Sequence, residues 1–343
     1  MSQPIVSVIV PVHDGQDSVV QCLDSIFRQD YGPIETIIID DASSDGSLAK
    51  ARGASSERTN VRVIAHETNQ GLASTLNEGI AKARGDIVLA IHQDCELLEP
   101  SFVTRALAVM QEHPDIGAVT GRRVYPVRKF SSNEKLFMVA NGHLTEMEHN
   151  GYETENLTFV EDKCDLYRKC LLDAIGGFPA RQFRVSGEDQ VVSSKMRAMG
   201  YRLVKLGTVS YRLDFGRKES TLRGILGKLR VYGRTQAGVF WTVKGSALDG
   251  LSKGNGLKER AMNRAQMLLS AGVIVTGVVL SVISPFFLLL SLGAFIGRSM
   301  TYLSGLGKLN GRLKLALLGP LLDFSYSFGF VEGLIFSSMG RRL

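Results

Sequence analysis

The chain has 343 residues, 44% of them hydrophobic and 22% charged, with a formal net charge of +6. That length suits one large or two ordinary domains, and that composition excludes a disordered chain. The positive charge is concentrated: from residue 217 to 264, eleven Lys and Arg are opposed only by Glu219, Asp249 and Glu259. Because apolar sequence follows directly, this pattern points to an anionic membrane surface and away from nucleic acid. Cys22, Cys95, Cys164 and Cys170 form no CxxC pair, which fits a reducing, cytoplasmic compartment. The apolar run 5–12 has no basic region before it and no cleavage site after it, so it reads as a buried strand and not as a signal peptide.

Short apolar runs then alternate with helical periods. The pattern predicts strands at 6–10, 35–40, 61–65 and 87–91. It predicts helices at 18–29, 47–56, 72–83 (Leu72, Leu76 and Ile80 on one face) and 101–112 after Pro100. Alternation of this kind implies βαβ units and a mostly parallel sheet. Ligands of such sheets sit at the carboxyl ends of the strands, where residues 11–14, 40–41 and 92–94 fall. A helix is also expected over 191–199. The stretch 122–161 is less regular and reads as an insertion or acceptor-side region. Residues 217–229 read as a basic amphipathic helix with Leu222, Ile225, Leu226 and Leu229 on one face. Such a helix suits a membrane interface, the alternative being a surface helix packed on the core.

The C-terminus carries the clearest physical signal. From 265 to 307 the only charge is Arg298, and a spanning helix needs about 20 apolar residues. Pro285 divides this run into two segments of that length, 265–284 and 286–306. A third apolar run, 315–338, is interrupted by Asp323 and Glu332, which should face protein or a polar cavity. Three spans return Lys308, Arg312 and Lys314 to the cytoplasm, in keeping with the positive-inside tendency, whereas two would leave them outside. The expected organisation is an α/β domain over 1–216, an amphipathic interface region over 217–264 and an α-helical transmembrane domain over 265–343. The protein would be integral to the membrane with its first domain facing the cytoplasm.

The motifs come in a recognisable order. Val6-Ser7-Val8-Ile9-Val10-Pro11-Val12-His13-Asp14 and Ile37-Ile38-Ile39-Asp40-Asp41-Ala42-Ser43-Ser44-Asp45-Gly46-Ser47 open the chain. Asn69-Gln70-Gly71-Leu72 follows, with Asn77, Gly79 and Ala83-Arg84-Gly85-Asp86. His92-Gln93-Asp94 precedes Pro100. Asp165-Leu166-Tyr167-Arg168 comes with Gly176-Gly177-Phe178, and Gly187-Glu188-Asp189 with Gly200-Tyr201-Arg202. Over residues 5–235 this resembles a membrane-bound family 2 glycosyltransferase of the GT-A fold, a Rossmann-like α/β domain. The order of catalytic domain and membrane helices is similar to dolichyl-phosphate mannose synthases with transmembrane helices and to a shortened cellulose-synthase arrangement.

The resemblance implies roles that physical chemistry makes sensible. A departing nucleotide diphosphate needs its charge neutralised, and Mn²⁺ or Mg²⁺ held by carboxylate and phosphate oxygens does this. Asp94, the only carboxylate in its triplet, is the implied metal ligand. His92 stands where the family usually has an acidic residue; it reaches ribose or phosphate, or packs. Asp41 is implied to accept from the nucleotide base, with Pro11, Val12, Asp14, His92 and Gln93 lining the donor pocket. Asp189, beside Glu188, holds the place of the general base that deprotonates the acceptor hydroxyl, or alternatively caps a helix. Arg122, Arg123, Arg168 and Arg212 are candidates for holding phosphate.

The implied reaction is inverting transfer of a hexose to dolichyl or polyprenyl phosphate or to a lipid-linked glycan. GDP-mannose is the first donor and UDP-glucose the second, and membrane lipid is a further partner. The Gln-x-x-Arg-Trp motif of processive members is missing around Gln236 and Trp241, which disfavours a polysaccharide synthase. An inactive membrane scaffold of the same fold is disfavoured by Asp41, Asp94, Glu188 and Asp189. A dinucleotide-binding dehydrogenase is disfavoured because no GxGxxG follows the first strand.

Overall fold

The computed structural model describes residues 3–125, 130–141, 154–157, 159–161, 163–184, 186–213, 221–243, 255–284, 286–306, 312–341 and 343. The chain divides into two compact units, 1–126 with 150–214, and 127–149 with 215–341.

The first unit is a three-layer α/β sandwich. Its strands are β1 (Val6–Val12), β2 (Ile34–Asp40), β3 (Val61–Ala65), β4 (Ile87–Ile91), β5 (Cys95–Leu97), β6 (Ile116–Val124), β7 (Thr154–Leu157), β8 (Cys164–Arg168) and β9 (Arg202–Leu213). Its helices are α1 (Val19–Phe27), α2 (Ser47–Ser55), α3 (Leu72–Lys82), α4 (Phe102–Glu112), α6 (Lys169–Ile175) and α7 (Glu188–Ala198); α5 (Ser132–Asn141) lies in the second unit. The sheet runs β3-β2-β1-β4-β8-β6-β9-β5, with β7 paired to β9. β1 and β4 are central and buried along their whole length, which is why they read as unbroken apolar runs. Edge strand β3 is only partly covered. Alternation in β1 sends Val6, Val8, Val10 and Val12 to the face covered by α1 and α4. Ile9 faces α3, α6 and α7, so one strand feeds both cores.

The predicted strands and helices of the first 112 residues are all present, but the sheet is mixed and not mostly parallel. β1 to β4 are parallel to their neighbours. β8 then enters antiparallel between β4 and β6, and β5 and β7 pair antiparallel with β9. Helix-for-strand alternation stops after α4, and without a crossover helix between successive strands parallel pairing is not imposed.

One buried carboxylate ties the amino ends of these strands together. Glu35, 2% exposed, accepts from Ser7 Oγ (2.6 Å), Arg84 N (2.6 Å), Arg84 Nε (2.9 Å) and Arg62 Nη2 (3.1 Å). This explains Arg84-Gly85 in physical terms, since Gly85 N also donates to Ser7 Oγ. Asn77 does comparable work for Gly176-Gly177-Phe178: its amide donates to Phe178 O and its carbonyl accepts from Phe178 N, both at 2.8 Å. Two motifs of the resemblance are therefore structural clamps.

The second unit is helical: α5, α8 (Leu222–Val243), α9 (Asn255–Leu280), α10 (Phe286–Gly305) and α11 (Arg312–Ser338). Ile225 and Leu229 of α8 are buried with Leu322 and Tyr326 of α11. Gly233 lies against the Tyr326 backbone, and Gly329 and Gly333 against the backbones of Arg230 and Arg234, the close approach that small residues spaced by four permit. The apolar edge expected in a membrane interface thus packs on α11; residues 217–220 of that expected helix, and Pro285, lie outside the described residues. Asp323 is fully buried. It accepts from Arg298 Nε (2.6 Å) and Nη2 (3.3 Å), Tyr302 Oη (2.9 Å) and Ser270 Oγ (2.8 Å). Glu332 pairs with Arg230. Both acids face protein, as expected. Among the described residues one helix, Phe286–Ser304, is long and apolar enough to cross a membrane, and Ala265–Leu280 is apolar but shorter.

Burial works against ionisation of Glu35, yet its Ser7 and Arg84 hydrogen bonds outweigh it and hold the carboxyl below the usual range. Its stabilisation is therefore present above the unfolded value, about 4.3, and is lost as pH falls through the folded one. Glu35→Gln removes the charge from these bonds and should lower the unfolding free energy by about 3 kcal/mol near neutral pH. Urea titration of the two proteins measures the difference.

Candidate active site

Four strand ends converge on the loops that follow β1, β2, β3 and β4. After β2, Asp41 is 4% exposed. Its Oδ1 accepts from His66 Nδ1 (2.8 Å) and Gln70 N (2.7 Å), and its Oδ2 from Gly71 N (2.8 Å). His66 also contacts Glu78 Oε2 at 2.8 Å through Nε2. Carboxylates only accept, so both imidazole nitrogens donate and His66 is an imidazolium. Gly71 has φ +90°, and a Cβ there would strike the Arg184 backbone; Leu72 N donates to Arg184 O at 2.9 Å. Asp41 thus fixes residues 66–71, and these fix the segment leading into α7.

After β4 the chain turns at once. Cys95 N donates to His92 O at 2.9 Å, placing Gln93 and Asp94 at the centre of a tight turn. Asp94 is half-buried at its tip. Gln93 spans the loop after β1, accepting from His13 N (2.9 Å) and donating to His13 O (2.8 Å). His13 Nδ1 lies 2.9 Å from Asp41 O. Asp14, with φ +48°, accepts from Ser44 N (2.8 Å) and Ser44 Oγ (3.1 Å); the Ser44 N–H holds its carboxyl below the ordinary value. Pro11 and Val12 are buried strand residues opposite Ile39 and Asp40.

Residues 11–14, 41 and 92–94 therefore lie on neighbouring loops at the strand ends. Asp41 is a buried anchor whose carboxylate accepts from protein groups. Gln93 and Asp14 spend their side chains on neighbouring loops. Glu188 and Asp189 open α7, after Gly187 at φ +94°. Glu188 is buried, and Asp189, half-buried, accepts from Gln190 N at 2.7 Å. Both stand in the first turn of α7, where the capping alternative places a carboxylate. Arg168 donates to carbonyls of Ile116, Met110 and His113, Arg212 to Glu96, and Arg123 to Glu161.

Residues 7–176, about half the chain, match the model of Glycosyl transferase family 2. These residues belong to glycosyltransferase family 2. The family assignment agrees with relatives such as EpsJ of Bacillus subtilis (strain 168), an uncharacterized glycosyltransferase. It is 29% identical over 163 residues, 46% of this chain and 46% of its own. The chain spans less than half the length of the first curated relatives it matches. The fold is that of the Pyrobaculum calidifontis mannosyltransferase PcManGT, solved with GDP-Man and Mn²⁺. That likeness has TM-score 0.53 and 19% identity, over 94% of this chain and 88% of that one. The fold is likewise that of S. aureus TarS 1–349, solved with UDP-GlcNAc, at TM-score 0.53 and 18% identity over 98% and 92%.

His66 lies outside the motifs of the sequence, although the strand-end rule points to it directly after β3. Burial lowers its pKa, but Asp41 and Glu78 outweigh that and raise it above the ordinary value. A raised folded value gives stabilisation that is full below about 6.5 and is lost as pH rises through the folded pKa. Between pH 6 and 9 the native protein should lose unfolding free energy that His66→Gln does not lose. Chemical denaturation across that range compares the two slopes.

Proposed function

We propose that the chain is a membrane-anchored, inverting hexosyltransferase using a nucleotide diphosphate sugar. The observation that carries this reading is the family 2 domain with Asp94 displayed on a turn at the strand ends. The acceptor oxygen attacks the anomeric carbon, and the bond from that carbon to the diphosphate breaks with its electron pair leaving on the nucleotide. Asp189, supported by Glu188, takes the acceptor proton. On this reading the loops that carry Pro11, Val12, Asp14, His92 and Gln93 border the donor, and Asp41 holds the loop after β3.

A half-buried carboxylate oxygen on a turn suits a hard divalent cation, so Asp94 would hold Mn²⁺ or Mg²⁺. That ion would supply charge neutralisation for the leaving diphosphate. Among the described residues no cluster of three or more His, Cys, Asp or Glu surrounds it; phosphate oxygens and water complete such a shell in nucleotide sites. A solved protein of this fold carries GDP-Man with Mn²⁺ and another UDP-GlcNAc, which supports nucleotide sugars as a class. GDP-mannose remains our first donor and UDP-glucose our second.

The membrane part of the reading rests on buried charges and exposed apolar side chains in the second unit. Asp323 and Arg298 are buried, while Val279, Val282, Ile283, Phe286, Leu289 and Phe328 are each more than half exposed. Apolar side chains facing out around buried charges is the distribution lipid requires. We read α9, α10 and α11 as three spans over about 265–284, 286–306 and 315–338. The α/β domain (1–216) would face the cytoplasm, with 217–264 between. An anchor of this kind keeps the enzyme at the surface that displays dolichyl or polyprenyl phosphate or a lipid-linked glycan.

The test supplies radiolabelled GDP-mannose or UDP-glucose with Mn²⁺ and dolichyl phosphate and counts label in the lipid extract. Transfer is expected from one donor, falling at least about a hundredfold in Asp94→Ala and in Asp189→Asn. Transfer that survives Asp94→Ala removes the metal assignment, and label in long polymer indicates a processive synthase.

A further inference from the structure

The order of the strand ends gives the candidate site a direction. The sheet runs β3-β2-β1-β4, so the loops carrying Asn69, Asp41, His13 and Asp94 follow one another in that order. Asp94 and Asn69 are three strand spacings apart, about 14 Å, comparable to an extended nucleoside diphosphate. A donor with its diphosphate at Asp94 therefore has its base toward the ends of β2 and β3. A cation from another segment stands there. Arg184 is exposed, and its backbone is tied to the loop after β3, because Leu72 N donates to Arg184 O at 2.9 Å. Its Nη2 donates to Asn69 Oδ1 (2.6 Å) and to Asn69 O (3.2 Å). A guanidinium only donates, so the amide oxygen of Asn69 is the atom turned to Arg184. Asn69 Nδ2 then lies 3.2 Å from both ring nitrogens of His13, and His13 Nδ1 lies 2.9 Å from Asp41 O. His13, Asn69 and Arg184 form one chain of contacts across the ends of β1, β2 and β3. Among the described residues Arg184 has no carboxylate partner, and its Nε and Nη1 donate to no protein group.

On the reading that this site takes a nucleotide diphosphate sugar, we propose that Arg184 reads the donor's base and selects guanine, with Asn69 as its positioning residue. A guanidinium presents its N–H donors in a rigid planar fork. Guanine offers two adjacent acceptors, O6 and N7, that match such a fork, whereas adenine sets a donor amine beside N7. Uracil has a donor, N3–H, beside its O4, so a fork finds a single acceptor there. Asn69 Oδ1 needs one Nη2 hydrogen and fixes the guanidinium plane. The other Nη2 hydrogen, released from the longer bond to Asn69 O, joins Nη1 in the fork that meets the base.

Isothermal titration of the full-length protein in detergent with Mn²⁺ tests this, using GDP, 7-deaza-GDP (which lacks the N7 acceptor), ADP and UDP. The unaltered protein should bind GDP about tenfold to a hundredfold more tightly than the other three. Arg184→Met should weaken GDP to the level of 7-deaza-GDP while UDP changes by less than about twofold. Arg184→Lys keeps the charge without the fork and should recover little of the preference. Asn69→Ala should give a smaller loss, again confined to GDP. A preference of the unaltered protein for UDP, equal binding of GDP and 7-deaza-GDP, or equal loss for GDP and UDP in Arg184→Met overturns the proposal. If the unaltered protein binds none of the four, the nucleotide-sugar reading itself fails, and this assignment with it.

Discussion

The Asp41 carboxylate is the constraint on which the candidate site depends. A buried carboxylate is costly unless it is hydrogen-bonded, and here two backbone N–H groups and an imidazolium satisfy it. Its donors come from residues 66, 70 and 71, so the charge sets the path of the chain between β3 and α3. Through Gly71 and Arg184 the same constraint reaches the segment that opens α7, where Glu188 and Asp189 stand. The pieces of the site are therefore not independent loops. They are consequences of one charge being satisfied at the end of the sheet.

The rest of the first unit supports that end from below. Glu35 fixes the start of β2 to Ser7, Arg62 and Arg84, at the opposite end of the strands from Asp41. Two buried carboxylates on one strand, Glu35 at its start and Asp41 just beyond its end, thus pin both ends of the parallel half. Between them lie Thr36, Ile37, Ile38, Ile39 and Asp40, all buried. The second unit follows other physics. Arg298 and Asp323 are buried together, Arg230 pairs with Glu332, and many apolar side chains face outward around a smaller apolar core.

Much of this was legible in the sequence because period and punctuation are local. Val6, Val8 and Val10 against Ile9, or Leu72, Leu76 and Ile80, announce their faces by spacing alone. Gly71 and Gly187 stand at helix starts because a positive φ is needed there. The mixed pairing of the second half was not legible, because a strand's neighbour is set by long-range register and not by its composition. The partners of single polar residues were hidden for the same reason. Nothing near Lys163 in the sequence mentions His92, 71 positions away, and nothing near Asp41 mentions His66 or Gly71. The apolar spacing of α8 is visible in the sequence, but an apolar edge does not say what covers it; here Ile225 and Leu229 are buried with Leu322 and Tyr326.

The central claim is that one nucleotide diphosphate sugar binds across these strand ends. Amide hydrogen exchange with and without GDP-mannose or UDP-glucose, in Mn²⁺, tests it most directly. One donor should slow exchange together at residues 11–16, 41–46, 66–71, 92–96 and 186–190, and leave the amides around Glu35 and Arg84 unchanged. Protection confined to other surfaces, or none from either donor at saturating concentration, would contradict it.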